Sequence, residues 1–76
     1  METRALRYFL TVAECGSLSR GAELLRISQP AISRQIAKLE QELGAAVFRR
    51  HGHGVSLTDA GQTLLARAQE VLRTLE

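Results

Sequence analysis

Gln29, Ser33, Arg34 and Lys38 are the side chains whose types and spacing could act together. Arginine and lysine bring positive charge, and glutamine and serine both donate and accept hydrogen bonds. A helix over SQPAISRQIAKLEQELG, residues 28–44, projected at about 100° per residue, puts Ile32, Ile36, Leu39 and Leu43 on one narrow stripe. The opposite side carries Pro30, Arg34, Ala37 and Gln41, flanked by Ser33 and Lys38. That outer face is hydrogen-bonding and basic at its N-terminal end, and narrow because Pro30, Ser33 and Ala37 are small. An α-helix fits a DNA major groove, and the first turns of such a helix reach the base edges. An ordinary amphipathic helix with a solvated polar face accounts for the same pattern, so this stretch alone leaves both readings open.

Other chemistries lack their residues. No phosphate-binding glycine loop, HExxH or supported Ser/His/Asp set is present, and Gly52-His53-Gly54 is too short for a nucleotide loop. Glu40 and Glu42 are two positions apart and do not face each other on a helix. The single cysteine, Cys15, excludes an intramolecular disulfide and a Cys-based zinc site. His51 and His53, without a nearby carboxylate or cysteine, make a poor metal site. No enzyme activity, metal or cofactor is expected of this region.

The elements that position the polar set read as four helices and a hairpin. Residues 3–14 place Leu6, Phe9, Leu10 and Ala13 on a buried face, widened by Ala5, Tyr8 and Val12, with Gly16 ending the helix. Ser17, or alternatively Ser19, caps a short helix to about Leu25 whose inner face is Leu18, Ala22 and Leu25. Gly21 inside it either permits close approach of another helix or is simply tolerated. Ser28 caps the next helix, Pro30 sits in its first turn, and Gly44 closes it. Val47–Arg50 and Val55–Leu57 read as short strands around His51-Gly52-His53-Gly54, whose two glycines supply positive φ for a tight reversal. Phe48 and Leu57 face the core, and Arg49 or Arg50 faces outward. Thr58 and Asp59 cap a last helix to about Leu75, with Gly61 placed for close contact with another backbone. On it Leu64, Ala68, Val71 and Leu75 form one row, and Leu65 and Leu72 a second. Either one row stays exposed and pairs two copies, or both close over one core.

At 76 residues and 45% hydrophobic, the chain is sized for one small folded domain. Net charge is +2, but residues 26–53 hold five cations against two carboxylates, and the remainder five arginines against six acids. The positive charge gathers around the third helix and the hairpin, which favours a polyanion, although a solvated charged surface fits too. The N-terminus lacks the apolar run of a signal peptide, and no run approaches the ~20 residues of a membrane span. A soluble cytoplasmic protein with no membrane partner is expected.

Taken together, Ala22-Glu23-Leu24-Leu25, Ser28 to Ile36, Leu39-Glu40, Glu42-Leu43-Gly44, Val47-Phe48, Arg50 and Leu57-Thr58 with Ala60-Gly61 resemble the N-terminal domain of LysR-type transcriptional regulators. Leu6 to Phe9, Ala13-Glu14 and Gly16-Ser17 match as well, so the resemblance covers essentially the whole chain. It implies a mainly α winged helix-turn-helix over 1–58, with the helix-turn-helix at about 18–37 and the wing at about 47–57. It also implies a linker helix over 59–76, truncated here, that pairs two subunits, with higher oligomers in an intact protein. A C-terminal effector domain, through which a small molecule would act, is absent from these residues. Carried over by position, Gln29, Pro30, Ser33 and Arg34 face the major groove. Ser28, Gln35, Lys38 and Arg50 lie near phosphates, and Thr58 caps the linker helix and approaches the DNA backbone; Arg49 is added to the backbone set by the outward-facing hairpin reading alone. His53 stands where many members carry an arginine for the minor groove, so the wing contact is either weaker or pH-dependent. Leu65, Ala68, Val71, Leu72 and Leu75 are expected at the subunit contact.

The function expected on this basis is sequence-specific double-stranded DNA binding by a bacterial transcription regulator, as a homodimer on an imperfect palindrome. The leading rival, a winged helix used for protein contact, would present large apolar or aromatic anchors on the outer face. RNA is less suited, because the A-form major groove does not admit a helix.

Overall fold

The computed structural model describes residues 2–75. In chain order it contains α1 (Thr3–Cys15), α2 (Leu18–Leu25), α3 (Gln29–Leu43), β1 (Phe48–His51), β2 (Gly54–Leu57) and α4 (Asp59–Leu75). This is a winged helix-turn-helix with a fourth helix, as the residue pattern predicts.

Local chemistry sets the helix ends. The Ser17 hydroxyl accepts a hydrogen bond from the Arg20 N–H and the Ser28 hydroxyl from the Ala31 N–H, each at 3.2 Å. Each bond satisfies a backbone donor that has no partner within the helix. Gly16 and Gly44 close α1 and α3 in the left-handed conformation. The turn between α2 and α3 closes differently, on Arg26 at φ 59. Its N–H reaches the Glu23 carbonyl at 3.2 Å, and the Ile27 N–H reaches the Ala22 carbonyl at 3.0 Å. A non-glycine residue there carries a local conformational cost, and no sequence signal marked it.

Phe9, Val12, Ile32, Leu39 and Val47 are the largest fully enclosed side chains. Each contributes on the order of 1.5–3 kcal/mol through burial. They come from α1, α3 and the segment before β1, so α1 is the post around which the other elements gather. Tyr8 packs against this core as expected. Leu43 does not join it: the inward stripe of α3 ends at Leu39, and Leu43 is 41% exposed. Gly21 proves to be a close-approach position, because a Cβ there would stand 2.9 Å from Val12 Cγ2 of α1.

The hairpin is antiparallel, with Phe48 opposite Leu57 and Arg50 opposite Val55. The Phe9 and Phe48 rings meet at a centroid distance of 5.2 Å, and the Val55 N–H donates to the Gly16 carbonyl at 2.9 Å. The wing is thereby tied to both the core and the α1–α2 turn. Val47 lies just ahead of β1 rather than within it. Of the two turn glycines, Gly54 takes a positive φ of 129 and Gly52 does not.

Asp59 opens α4, and Thr58 rather than Asp59 supplies the cap, its hydroxyl accepting the Gly61 N–H at 3.0 Å. Gly61 abuts the Val47 carbonyl so closely that a Cβ would overlap it. The inward stripe of α4 runs through Gly61, Ala68 and Leu72, with Leu64 and Leu65 half-buried. Ala68 and Leu72 are only 1% and 5% exposed, while Val71 and Leu75 remain 44% and 60% exposed. Neither expected row is exposed or buried as a whole: Ala68 and Leu72 are almost wholly covered within one copy of the chain, and Val71 and Leu75 are not. None of the described helices is long and apolar enough to cross a membrane.

Candidate nucleic-acid interface

The third helix enters the fold with Ile32, Ile36 and Leu39 buried, and this orients everything else on it. At helical spacing, anchoring those three turns Gln29, Pro30, Arg34, Ala37, Lys38 and Gln41 outward, and all six are exposed. Ser33 and Gln35 stand half-buried at the two edges of that face. The four base-reading candidates, Gln29, Pro30, Ser33 and Arg34, thus lie within the first two turns of one surface, without a large apolar group among them. Among the described residues Arg34, Lys38 and Arg50 form no ion pair within 4.0 Å.

The wing adds a second polar surface beside the start of α3. Ser17, Ser19, Gln29, Arg50, His51 and Val55 line a shallow cleft between α2, α3 and the hairpin. Strand alternation decides between the two arginines. Arg50 lies on the Phe48 side of the hairpin, beyond the core, and lines this cleft. Arg49 lies on the other side, its Nη1 donating to the Leu57 carbonyl at 3.5 Å. Both are exposed. The sequence reading did not include Ser17, Ser19 or His51 in the site. They reach it because the α1–α2 turn and the wing are hydrogen-bonded together.

Two candidates have hydroxyl oxygens already engaged within the fold. Ser28 is exposed, but its oxygen caps α3. The Thr58 hydroxyl donates to the Ala46 carbonyl at 2.6 Å while accepting from Gly61, so its one proton is committed within the fold. A phosphate oxygen needs a donor; in this arrangement the Thr58 hydroxyl gives its proton to the segment before the wing and holds that segment to the start of α4. At the wing tip the His53 side chain is exposed, and its backbone N–H donates to His51 Nδ1 at 3.2 Å. That bond places the acceptor lone pair of a neutral His51 ring at Nδ1 and its proton at Nε2. Among the described residues there is no cluster of three metal-ligating side chains.

The geometry has known counterparts. Residues 3–62 match the family model described as bacterial regulatory helix-turn-helix protein, lysR family. The whole chain is 51% identical over 76 residues to the HTH-type transcriptional regulator ClcR of Pseudomonas putida, covering 26% of that protein. It is 45% identical over the same length to the nitrogen assimilation regulatory protein Nac of Escherichia coli strain K12, covering 25% of it. The chain thus spans about a quarter of the length of these curated relatives. Among solved structures, the CbnR DNA-binding domain in complex with DNA superposes with a TM-score of 0.94 at 41% identity, over 99% of this chain and 86% of that one. The BenM DNA-binding domain in complex with catB site 1 DNA gives a TM-score of 0.94 at 40% identity, over 99% of this chain and 83% of that one.

Proposed function

The chain belongs to the lysR family of bacterial regulatory helix-turn-helix proteins, and on that premise we propose that it reads double-stranded DNA with α3 in the major groove and the wing beside the flanking backbone. The observation that carries this reading is the outer face of α3. It is small, polar and cationic, it is presented by three buried anchors, and it is bordered by Arg50 across a shallow cleft. In this reading Arg34 makes a bidentate guanine contact and Gln29 meets adenine or a thymine edge; both side chains are exposed on the outer face of α3. Lys38, Gln35, Arg49 and Arg50 add phosphate contacts that are nearly independent of sequence and weaken with salt. His53, at the exposed wing tip, lies toward the minor groove.

Two copies bind an imperfect palindrome, with their reading helices about one helical turn apart. Pairing uses the apolar residues that α4 leaves outside, Val71 and Leu75, and not Ala68 or Leu72. In the intact bacterial protein, which this reading places in the cytoplasm, a small-molecule effector would act through residues beyond this quarter-length segment.

The test is selection of bound sequences from a pool of random duplexes at two salt concentrations. Enrichment of a two-fold-symmetric motif that persists at the higher salt is the expected outcome. Binding that collapses with salt and enriches nothing would sink specific recognition. Preference for single-stranded RNA, or for a protein partner over any duplex, would replace it with one of the rival readings.

A further inference from the structure

We infer that Glu40 is a positioning residue that sets where the wing stands relative to the reading helix, and through it which flanking DNA the wing can reach. The inference rests on the DNA-reading function proposed above but on separate atoms. Glu40 lies on α3 one turn beyond Ile36, clear of the base-reading positions. Its side-chain Oε2 accepts the Val47 N–H at 2.8 Å. Its own carbonyl accepts the Gly44 N–H at 2.8 Å and the Ala45 N–H at 3.2 Å. One residue thereby holds three amides of the four-residue connection from α3 to β1. A carboxylate accepting a backbone N–H is among the stronger hydrogen bonds available to a side chain.

The same connection is gripped from its far side. The Thr58 hydroxyl binds the Ala46 carbonyl, the Thr58 N–H binds the Val47 carbonyl at 3.0 Å, and Gly61 packs against that carbonyl. Val47 itself is fully buried. Residues 46 and 47 are therefore clamped between α3 on one side and the start of α4 on the other. Phe48 follows immediately, and with it the strand that carries Arg49 and Arg50. Thr58 and Gly61 fasten this segment to α4; Glu40 fastens it to the helix that reads bases. Removing the carboxylate leaves the wing attached to α1 and α4 but loosens its register to α3.

The experiment compares the parent chain with Glu40→Ala and Glu40→Gln. The glutamine side-chain carbonyl can accept the same N–H, so it separates the hydrogen bond from the charge. Two readouts are taken: amide hydrogen exchange in the free protein, and duplex selection scored separately at inner half-site and outer flanking positions. In Glu40→Ala the Val47 amide should exchange about tenfold faster, as expected for loss of one such bond, while the Ile36 amide is unchanged. Flank preference should fall toward background while the inner half-site preference persists. Glu40→Gln should restore both.

An unchanged Val47 exchange rate and unchanged flank preference in Glu40→Ala would overturn the inference. So would equal weakening at every operator position with no rescue by glutamine, since that marks a general effect of charge or stability. If the parent enriches no motif at all, the DNA-reading proposal fails. The role of Glu40 is then decided by residual dipolar couplings of the wing relative to α3, where unchanged couplings in Glu40→Ala would overturn it.

Discussion

Helices α3 and α4 are built from the same amphipathic code and left with different surfaces. Each buries a stripe at helical spacing: Ile32, Ile36 and Leu39 on α3, and Gly61, Ala68 and Leu72 on α4. Outside, α3 shows Gln29, Pro30, Arg34 and Lys38, whereas α4 shows Val71 and Leu75 among charged and polar residues such as Arg67, Glu70 and Arg73. The buried stripes differ in bulk as well. Three large aliphatics lock α3 into the core with little exposure, while glycine and alanine let α4 lie close against its neighbours. A helix that must hold a polar face at a defined angle is anchored by large, well-packed side chains. The exposed Val71 and Leu75 of α4 are the groups that the proposed pairing of two copies would cover.

Breaking the inner side of α3 should have the largest effect. Ile32→Ala removes a fully buried side chain and should cost about 2–5 kcal/mol of stability in urea denaturation. A loss within about 0.5 kcal/mol would mean that α3 is not anchored through this stripe. Substituting the outer face should separate binding from folding. Arg34→Ala should leave stability within about 0.5 kcal/mol while costing about 1–3 kcal/mol of binding to a selected duplex and relaxing preference at one base pair. Unchanged affinity and unchanged base preference would show that this face does not read DNA.

The third effect is smaller and local. Ser28→Ala removes the α3 cap and should cost about 1 kcal/mol. Its signature is faster amide exchange in the first turn of α3, beside Gln29, with the rest of the helix protected. On α4 the expected effect is on association rather than on folding. Val71→Ser with Leu75→Ser should shift folding by less than about 1 kcal/mol, since both residues are exposed, yet should lower the mass seen in sedimentation if two copies pair there. A dimer that survives both substitutions would move the contact off this face of α4.

Much of the architecture could be read from single residues and their neighbours. Ser17 and Ser28 as caps, Gly16 and Gly44 as helix ends, and Ile32, Ile36 and Leu39 as an inward stripe all depend on interactions within a few positions along the chain. Given that stripe, the outward direction of Arg34 follows from the helical repeat alone. The weaker readings were those that needed to know what lay on the far side of an element. Leu43 fits the inward periodicity of α3, but no partner covers the helix end, so it stays partly exposed. Arg49 and Arg50 could not be told apart until strand pairing assigned them to opposite sides of the wing. Thr58 carries a free hydroxyl in the sequence and an engaged one in the fold.

The sequence by itself determined the order of helices, turn and wing, and the polar surface of α3, because caps, periodicity and turn residues act over one or two turns of chain. Only the tertiary structure decided which side of α4 faces α1. That choice buries Ala68 and Leu72 and leaves Val71 and Leu75 outside, because orienting a helix with apolar residues on more than one face depends on the partner it packs against. It also decided that Glu40 holds the entrance to the wing. That contact spans seven residues and a reversal of direction, and it exists only once Val47 is buried and its amide must find an acceptor within the fold.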